Sequence, residues 1–386
     1  MRALVPIFAL TQTVGYGVLF YAFGVFNGPI ARDLNTSVTT VSGALTASVL
    51  ATAAAAYPIG RRLDRLDGGG RYIMAGGSVA ATAAVLALSQ IRTVWQLYAV
   101  MVVIGLTSAA VLYEAAFAIV VKNINPPKRS RAILIITIVA GFASTIFMPL
   151  AGLLEERWGW RGALVVLAAI HGALTIFPHF SLVPRKTDSI EEASGPMLPL
   201  GTALRDRVFW LLATGFTASA AAGAAVAVHL VGYLLGMGHS TAVAASITGL
   251  LGAMSVTGRV LTTRLSTRFS TASIATVIFF AQGAAVLLLP LVARSVAGAT
   301  ACVLVFGLGF GIASIARPSI LADRYGATAF GSISGTLTVP VALARAAAPL
   351  AVAALTITSL PLFTSINTLL AAACLGAAAA TAARPA

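Results

Sequence analysis

Four charged side chains lie inside long apolar stretches of the sequence: Glu114, Arg259, Arg317 and Arg345. Charged groups in the interior of a membrane are rare and mark binding sites, proton pathways or gates. A guanidinium group can bind a carboxylate through two parallel hydrogen bonds, and a buried carboxyl group can take up and release a proton. These four residues are therefore the first candidates for chemistry in this chain.

Three of the four candidates have a structural alternative. Arg259 lies near the end of its apolar stretch and could extend to the lipid headgroups. Arg317 precedes Pro318, which frees a backbone carbonyl group that the guanidinium group could bind. Glu114 could carry a proton or form a structural pair with an arginine. Arg345 lies in an alanine-rich stretch, and we expect it to bind substrate.

Other residue types add little chemistry of their own. Two aromatic residues, Tyr16 and Phe20, are spaced i and i+4 and could line a binding cavity, as could His229. An aromatic pair at this spacing and a single histidine are also typical of helix packing. The sequence has no Gly-x-Ser-x-Gly motif, no phosphate-binding loop and no zinc-ligand spacing. It therefore predicts neither an enzyme, nor a cofactor, nor a metal site.

The elements that position these residues follow from composition and hydropathy. Apolar residues make up 59% of the chain and charged residues 9%, against about 25% charged residues in soluble domains. Apolar stretches of 18 residues or more predict an all-α membrane protein of twelve transmembrane helices. The predicted spans are 5–28, 38–59, 72–91, 95–121, 132–154, 161–183, 208–236, 241–266, 271–293, 296–322, 328–353 and 358–382.

The basic residues set the predicted orientation. The net charge of +14 is spread over short loops between the spans, which argues against nucleic-acid binding. Alternate loops hold 17 and 5 basic residues, so the positive-inside rule places both termini in the cytoplasm of a plasma (cytoplasmic) membrane.

An internal repeat divides the chain into two halves. Residues 103–111 and 305–313 match at an offset of 202, and Pro149 and Pro349 lie 200 residues apart. The sequence therefore predicts two pseudo-symmetric bundles, 1–183 and 208–386, joined by a cytoplasmic linker at 184–207. Such repeats imply a binding site near the midplane that opens alternately to each side.

One loop carries a family resemblance. The stretch GRRLDR at 60–65, followed by Gly70-Arg71, resembles the G-x-x-x-D-R-x-G-R/K motif of the major facilitator superfamily, although four residues stand where the motif has one. The resemblance implies secondary transport by a monomer. It also implies a gate built from Asp64, Arg61, Arg65 and Arg71, with Arg268 in the second-half counterpart.

Within that superfamily, the stretch 15–34 resembles the first helix of the monocarboxylate and oxalate/formate carriers. Arg259 resembles the arginine with which those carriers bind carboxylate. Ser255 stands where they usually have an aspartate, and their first-helix lysine is absent. By the same resemblance, helices 1, 4, 7 and 10 line the cavity.

The predicted function is the transport of small organic anions, such as monocarboxylates, across the lipid bilayer. Three arginines and one ionised glutamate leave the interior at +2, which attracts anions. Transport would use proton symport or exchange for a counter-anion, with Glu114 as the proton site. The alternative is an exporter of amphipathic drugs or metabolites, for which the apolar cavity would matter more than the arginines.

The orientation is testable with fusion reporters. A reporter fused after Arg185 should report the cytoplasm, and one near Arg157 the opposite side, because the basic loops stay inside. Paired phosphatase and fluorescent-protein fusions measure both locations, and the reverse pattern would contradict the assigned orientation.

Overall fold

The structure of this protein is a computed structural model that describes residues 4–65, 69–184, 199–266 and 268–356. These residues form helices joined by short connections, with no strand among them. The predicted twelfth span and most of the predicted linker lie outside the described residues.

Nine helical stretches within the described part of the chain are long and apolar enough to cross a membrane. Eight of them match single predicted spans, with ends that differ by at most six residues, because hydropathy determines where a chain can be buried in lipid. The ninth, Lys128–Ser181, covers the predicted fifth and sixth spans together, and the predicted eleventh span, 328–353, is not among the nine. The helices are α1 Leu4–Tyr16, α2 Ala22–Asp33, α3 Val38–Arg65, α4 Gly70–Leu88, α5 Val94–Val111, α6 Tyr113–Asn123, α7 Pro126–Ala140, α8 Ala143–Ser181, α9 Leu200–Arg205, α10 Arg207–Gly236, α11 Thr241–Leu265, α12 Thr271–Val292, α13 Val296–Tyr325 and α14 Phe330–Thr356.

Three predicted spans are interrupted. A π-helical turn, Gly17–Tyr21, separates α1 from α2, and an extended residue, Leu112, separates α5 from α6. The predicted fifth span is divided between α7 and α8 at residues 141–142. Within α8, Gly159 has a positive φ of 65° that a glycine adopts without strain, and this break falls between the predicted fifth and sixth spans.

The described residues form two compact units. The first contains residues up to 184 together with 325–339, and the second contains 199–324 and 340–356. In the first unit, α3 packs on α5, α4 packs on α5 and α8, and α1 packs on α7 and α8. Each unit has its own core of buried aliphatic and aromatic side chains.

Corresponding glycines allow close helix packing in both units. A Cβ atom at Gly105 of α5 would overlap the carbonyl oxygen of Ser48 on α3, and the Thr52 hydroxyl donates to the Gly105 carbonyl oxygen (2.9 Å). In the second unit, a Cβ atom at Gly307 of α13 would lie 2.7 Å from the Cβ of Met254 on α11. Small residues let helix backbones approach in this way. The two glycines are 202 residues apart, at the offset of the predicted repeat.

Candidate functional site

Asp64, the penultimate residue of α3, binds the first turn of α14. Its Oδ1 accepts a hydrogen bond from the Gly331 N–H (2.9 Å). Its Oδ2 accepts from the N–H (2.7 Å) and the hydroxyl (2.6 Å) of Ser332. Because α14 begins at Phe330, these N–H groups have no acceptor within their own helix. A carboxylate on α3 therefore caps α14, where the helix dipole also favours negative charge.

Close backbone contact between α3 and α14 places the carboxylate. A Cβ atom at Gly60, one turn before Asp64, would overlap the carbonyl oxygen of Gly331. A Cβ atom at Gly335 would likewise lie 2.5 Å from the carbonyl oxygen of Ala56. The glycine of the sequence motif at position 60 is thus needed where the two helices cross.

Lys122 of α6 completes the end of α3. Its Nζ donates to the carbonyl oxygens of Leu63 (2.5 Å) and Asp64 (2.9 Å), which lie in the last turn of α3. A cation there binds carbonyl groups that have no intrahelical partner and interacts favourably with the helix dipole. The end of α3 is therefore held by α6 as well as by α14.

Glu114 binds the same segment of α14. It lies in the first turn of α6, directly after the break at Leu112. Its Oε2 accepts a hydrogen bond from the Ser334 hydroxyl (2.7 Å), and its Oε1 accepts one from the Thr338 hydroxyl (2.9 Å). Two carboxylates on α3 and α6 therefore hold residues 331–338 of α14, and all of these groups belong to the first unit.

A stack of aromatic rings flanks Glu114. The rings of Tyr16 and Tyr113 lie 4.5 Å apart, and those of Tyr113 and Phe117 stack at 4.8 Å with 11° between their planes. Tyr16 and Tyr113 are half-buried. The side-chain amide of Gln12 donates to the carbonyl oxygen of Val111 (2.8 Å), just before the break that starts α6.

Phe20 does not join this stack. Its side chain is 37% exposed and packs edge-on against Tyr21, 5.2 Å between ring centroids. The predicted i, i+4 wall of Tyr16 and Phe20 assumed a regular α-helix. The π-helical turn has a wider repeat, so residues four apart no longer share one face.

The predicted anion-binding arginines all lie in the second unit. Arg259 and Arg317 are half-buried, on α11 and α13, and Arg345 is exposed, on α14. The aliphatic stem of Arg259 lies against Gly311 of α13, where a Cβ atom would come within 2.8 Å of the arginine Cγ. Arg259 therefore packs on the helix that carries Arg317. His229 of α10 is half-buried.

The arginines predicted to form a gate with Asp64 have other surroundings. Arg61, Arg65 and Arg268 are exposed. Arg71 is buried, and its guanidinium carbon lies 4.6 Å from the ring centroid of Phe180 and 5.2 Å from that of Tyr72, which is cation–π geometry. The hydrogen bonds described for the Asp64 side chain come from Gly331 and Ser332 at the start of α14, not from these arginines.

Sequence reasoning missed the partners of the two carboxylates. Ser332, Ser334 and Thr338 lie in the segment GSISGTLT at 331–338, which contains two glycines, two serines and two threonines besides Ile333 and Leu337. A run of hydroxyl residues within a predicted span was the available signal, because hydroxyl groups in lipid need hydrogen-bond partners.

Two buried histidines were also missed. The Thr82 hydroxyl bonds His171 Nδ1 (2.8 Å), and the Ser78 hydroxyl bonds His179 Nδ1 (2.8 Å). Both rings are at most 1% exposed and join α8 to α4. Their spacing of eight residues places them two turns apart on α8, which suits a pair of interhelical hydrogen bonds.

Comparisons with known proteins identify the fold. The structure resembles the crystal structure of the human organic anion transporter MFSD10 (TETRAN), with a TM-score of 0.70, 18% sequence identity and 98% of each chain covered. At this identity the likeness shows the fold. A search of curated protein sequences finds no match.

The family follows from the sequence itself. The sequence profile of the Major Facilitator Superfamily matches residues 9–349. Proteins of this family and fold are transporters, so the predictions of an all-α membrane fold and of a protein that is not an enzyme are confirmed. This multi-pass membrane protein belongs to the major facilitator superfamily.

Proposed function

We propose that this transporter moves small organic anions, with monocarboxylates as the first candidates. The observation that carries the proposal is the set of three arginines within the apolar helices of the second unit: Arg259, Arg317 and Arg345. Three basic side chains within the helices of one unit favour the binding of anions. The likeness in fold to an organic anion transporter supports the same class of substrate.

The surroundings of Arg259 favour substrate binding over contact with lipid headgroups. Its stem lies against Gly311 of α13, and its Nε is buried. A side chain that extended to the headgroups would lie along the lipid-facing surface of its helix. The stretch 15–34 and this arginine remain our reasons for proposing the monocarboxylate and oxalate/formate branch.

The position of Arg345 on its helix supports a role in binding. It follows Thr338 by seven residues, which is two turns, so the two side chains share one face of α14. Thr338 faces protein, since its hydroxyl contacts Glu114. Arg345 is exposed, and we propose that it binds the carboxylate of the substrate, together with Arg317 and Arg259.

The aromatic stack sets a second requirement on the substrate. Half-buried Tyr16 and Tyr113 present ring surface beside the only acid found within the predicted spans, Glu114. Ring surface favours a substrate with an apolar part, so the stack also suits the alternative of an amphipathic drug or metabolite exporter. His229 stays a proposed cavity residue.

In an alternating-access cycle, the carboxylates of Asp64 and Glu114 would have different roles. We propose that Asp64 is a latch that holds the start of α14 in one state and releases it in the other, with Arg61, Arg65, Arg71 and Arg268 as further gating residues. We propose that Glu114 carries the proton in symport, and that it keeps this proton when the transporter exchanges one anion for another. We further propose that the protein is a monomer in the plasma membrane with both termini in the cytoplasm.

Arg345→Gln tests the anion-binding role. Counterflow of radiolabelled carboxylates in proteoliposomes should fall by about tenfold or more, because the amide cannot replace the charged bidentate donor. Arg345→Lys should keep part of the activity, since its ammonium group retains the charge but not the fork geometry.

Arg294→Gln is the matched control, because Arg294 is exposed beyond the end of α12. It should transport like the wild type. Normal counterflow by correctly inserted Arg345→Gln would contradict the anion-carrier proposal and favour the exporter.

Asp64→Asn tests the latch. An asparagine side chain has one acceptor oxygen where the carboxylate offers two, so one hydrogen bond to the start of α14 is lost. The maximal uptake rate should fall by about tenfold, while the half-saturating substrate concentration stays within about threefold.

The control is Asp33→Asn, which removes an exposed ion pair with Arg161 (2.6 Å). Exposed pairs contribute little, so its uptake should match the wild type. A large loss of affinity with a normal maximal rate in Asp64→Asn would exclude the latch.

A further inference from the structure

The hydroxyl group of Thr338 has two acceptors for its single proton. Its Oγ1 lies 2.9 Å from Glu114 Oε1 and 2.9 Å from the carbonyl oxygen of Ser334, one turn earlier in α14. A hydroxyl group has one donor hydrogen and two acceptor lone pairs. Thr338 can therefore donate to the carboxylate or to the backbone, but not fully to both.

The hydroxyls of Ser334 and Thr338 each keep a hydrogen-bond acceptor in either protonation state of Glu114. When the carboxylate is ionised, Ser334 and Thr338 each donate to one of its oxygens. When Oε1 carries a proton, its O–H can donate to Thr338 Oγ1, and Thr338 then donates to the Ser334 carbonyl oxygen. Ser334 continues to donate to Oε2, so the added proton only reverses one hydrogen bond.

Asp64 has less freedom of this kind, because a hydroxyl group, that of Ser332, contacts only its Oδ2. Two of its three donors are backbone N–H groups, which cannot accept a hydrogen bond. A proton on Oδ1 would face the Gly331 N–H, and that bond would be lost. The two carboxylates hold the same segment of α14, but only Glu114 has a hydroxyl donor at each of its two oxygens.

The groups around Glu114 define its electrostatic setting. Tyr113 is adjacent on α6, and Tyr16 of α1 stacks on Tyr113. Lys122, two turns further along α6, binds the end of α3. On α14, Arg345 follows two turns after Thr338 on the same face.

We propose that Ser334 and Thr338 form, with Glu114, a proton-controlled clasp. The clasp holds α14 when Glu114 is ionised and releases it when Glu114 is protonated. The inference rests on the proposed function, of which it names the coupling device. Charge-assisted hydrogen bonds are roughly twice as strong as neutral ones, so the ionised carboxylate holds both hydroxyls more strongly than the neutral acid does. Proton uptake keeps the hydroxyls of Ser334 and Thr338 bonded and lowers the cost of separating α14 from α6.

The test is the variant Ser334→Ala with Thr338→Val, measured in two assays on the same proteoliposomes. Counterflow of a radiolabelled carboxylate, chosen from a panel for its activity with the wild type, needs no net proton movement. Uptake driven by an imposed pH gradient does. Without the two hydroxyls, the ionised and the protonated forms of Glu114 no longer differ in how strongly they hold α14 through these residues. We expect counterflow within about threefold of the wild type and gradient-driven uptake lower by about tenfold or more.

Two further variants separate this role from a structural one. Thr338→Ser in the presence of Ser334 keeps both hydroxyls and should retain gradient-driven uptake. Thr336→Val removes a hydroxyl of the same helix that bonds the Ser332 carbonyl oxygen (2.8 Å), and it should behave like the wild type in both assays. If the double variant does not insert, Thr338→Val alone should show the same selective loss to a smaller degree.

The outcomes that overturn the clasp differ from those that overturn anion transport. Gradient-driven uptake at the wild-type level in the double variant, or equal loss of both activities, overturns the clasp. If the wild-type protein shows counterflow but its uptake does not respond to the pH gradient, the clasp is also overturned, whereas the proposal of an anion carrier stands. A wild type that moves none of the carboxylates overturns the proposed function itself.

Discussion

Backbone N–H groups at the start of α14 need acceptors, and Asp64 of α3 supplies them. Gly331 and Ser332 are buried within the protein, so an unbonded N–H group there would cost about 1–3 kcal/mol. The other features of the first unit support this contact. Gly60 lets α3 and α14 touch, Lys122 binds the end of α3, and Glu114 bonds the next two turns of α14. A single polar requirement therefore organises residues from three helices.

Interruptions of helices place the remaining polar groups. The break at Leu112 starts a new helix at Tyr113, and Glu114 falls in its first turn, where the helix dipole favours a negative charge. The π-helical turn after Tyr16 likewise changes the direction of the side chains that follow. Such irregular turns are tolerated within membranes where neighbouring groups bond the freed backbone, as Gln12 does for Val111. Both breaks lie beside the aromatic stack.

The sequence predicted the membrane spans, which depend on composition. It did not predict the partners of the charged side chains, which depend on the folded chain. Hydropathy predicted the spans that the structure describes because burial in lipid requires long apolar helices. The loop motif singled out Asp64, but the charges around it suggested arginine partners, whereas the described partners are Gly331 and Ser332. A backbone N–H group has no signature in a sequence, so this pairing could not be predicted.

The same limit applies to Arg71 and Phe20. Aromatic rings of α4 and α8 surround Arg71, and only the folded chain brings Phe180 next to it. The environment of Phe20 depends on a π-helical turn that a 3.6-residue period does not predict. The small hydroxyl residues of 331–338 were visible in the sequence, but their function becomes apparent only when Asp64 and Glu114 are placed opposite them.

A distance measured between α3 and the start of α14 tests the role of Asp64 most directly. Spin labels can be placed on cysteines at Arg62 and Thr328, both of which are exposed and belong to the first unit, after Cys302 and Cys374 are replaced by serine. Electron paramagnetic resonance of the protein in lipid should show a single short distance when Asp64 is present. With Asp64→Asn the distribution should broaden toward longer distances, because α14 loses its cap. The same distribution in both proteins would contradict the claim that Asp64 holds this helix.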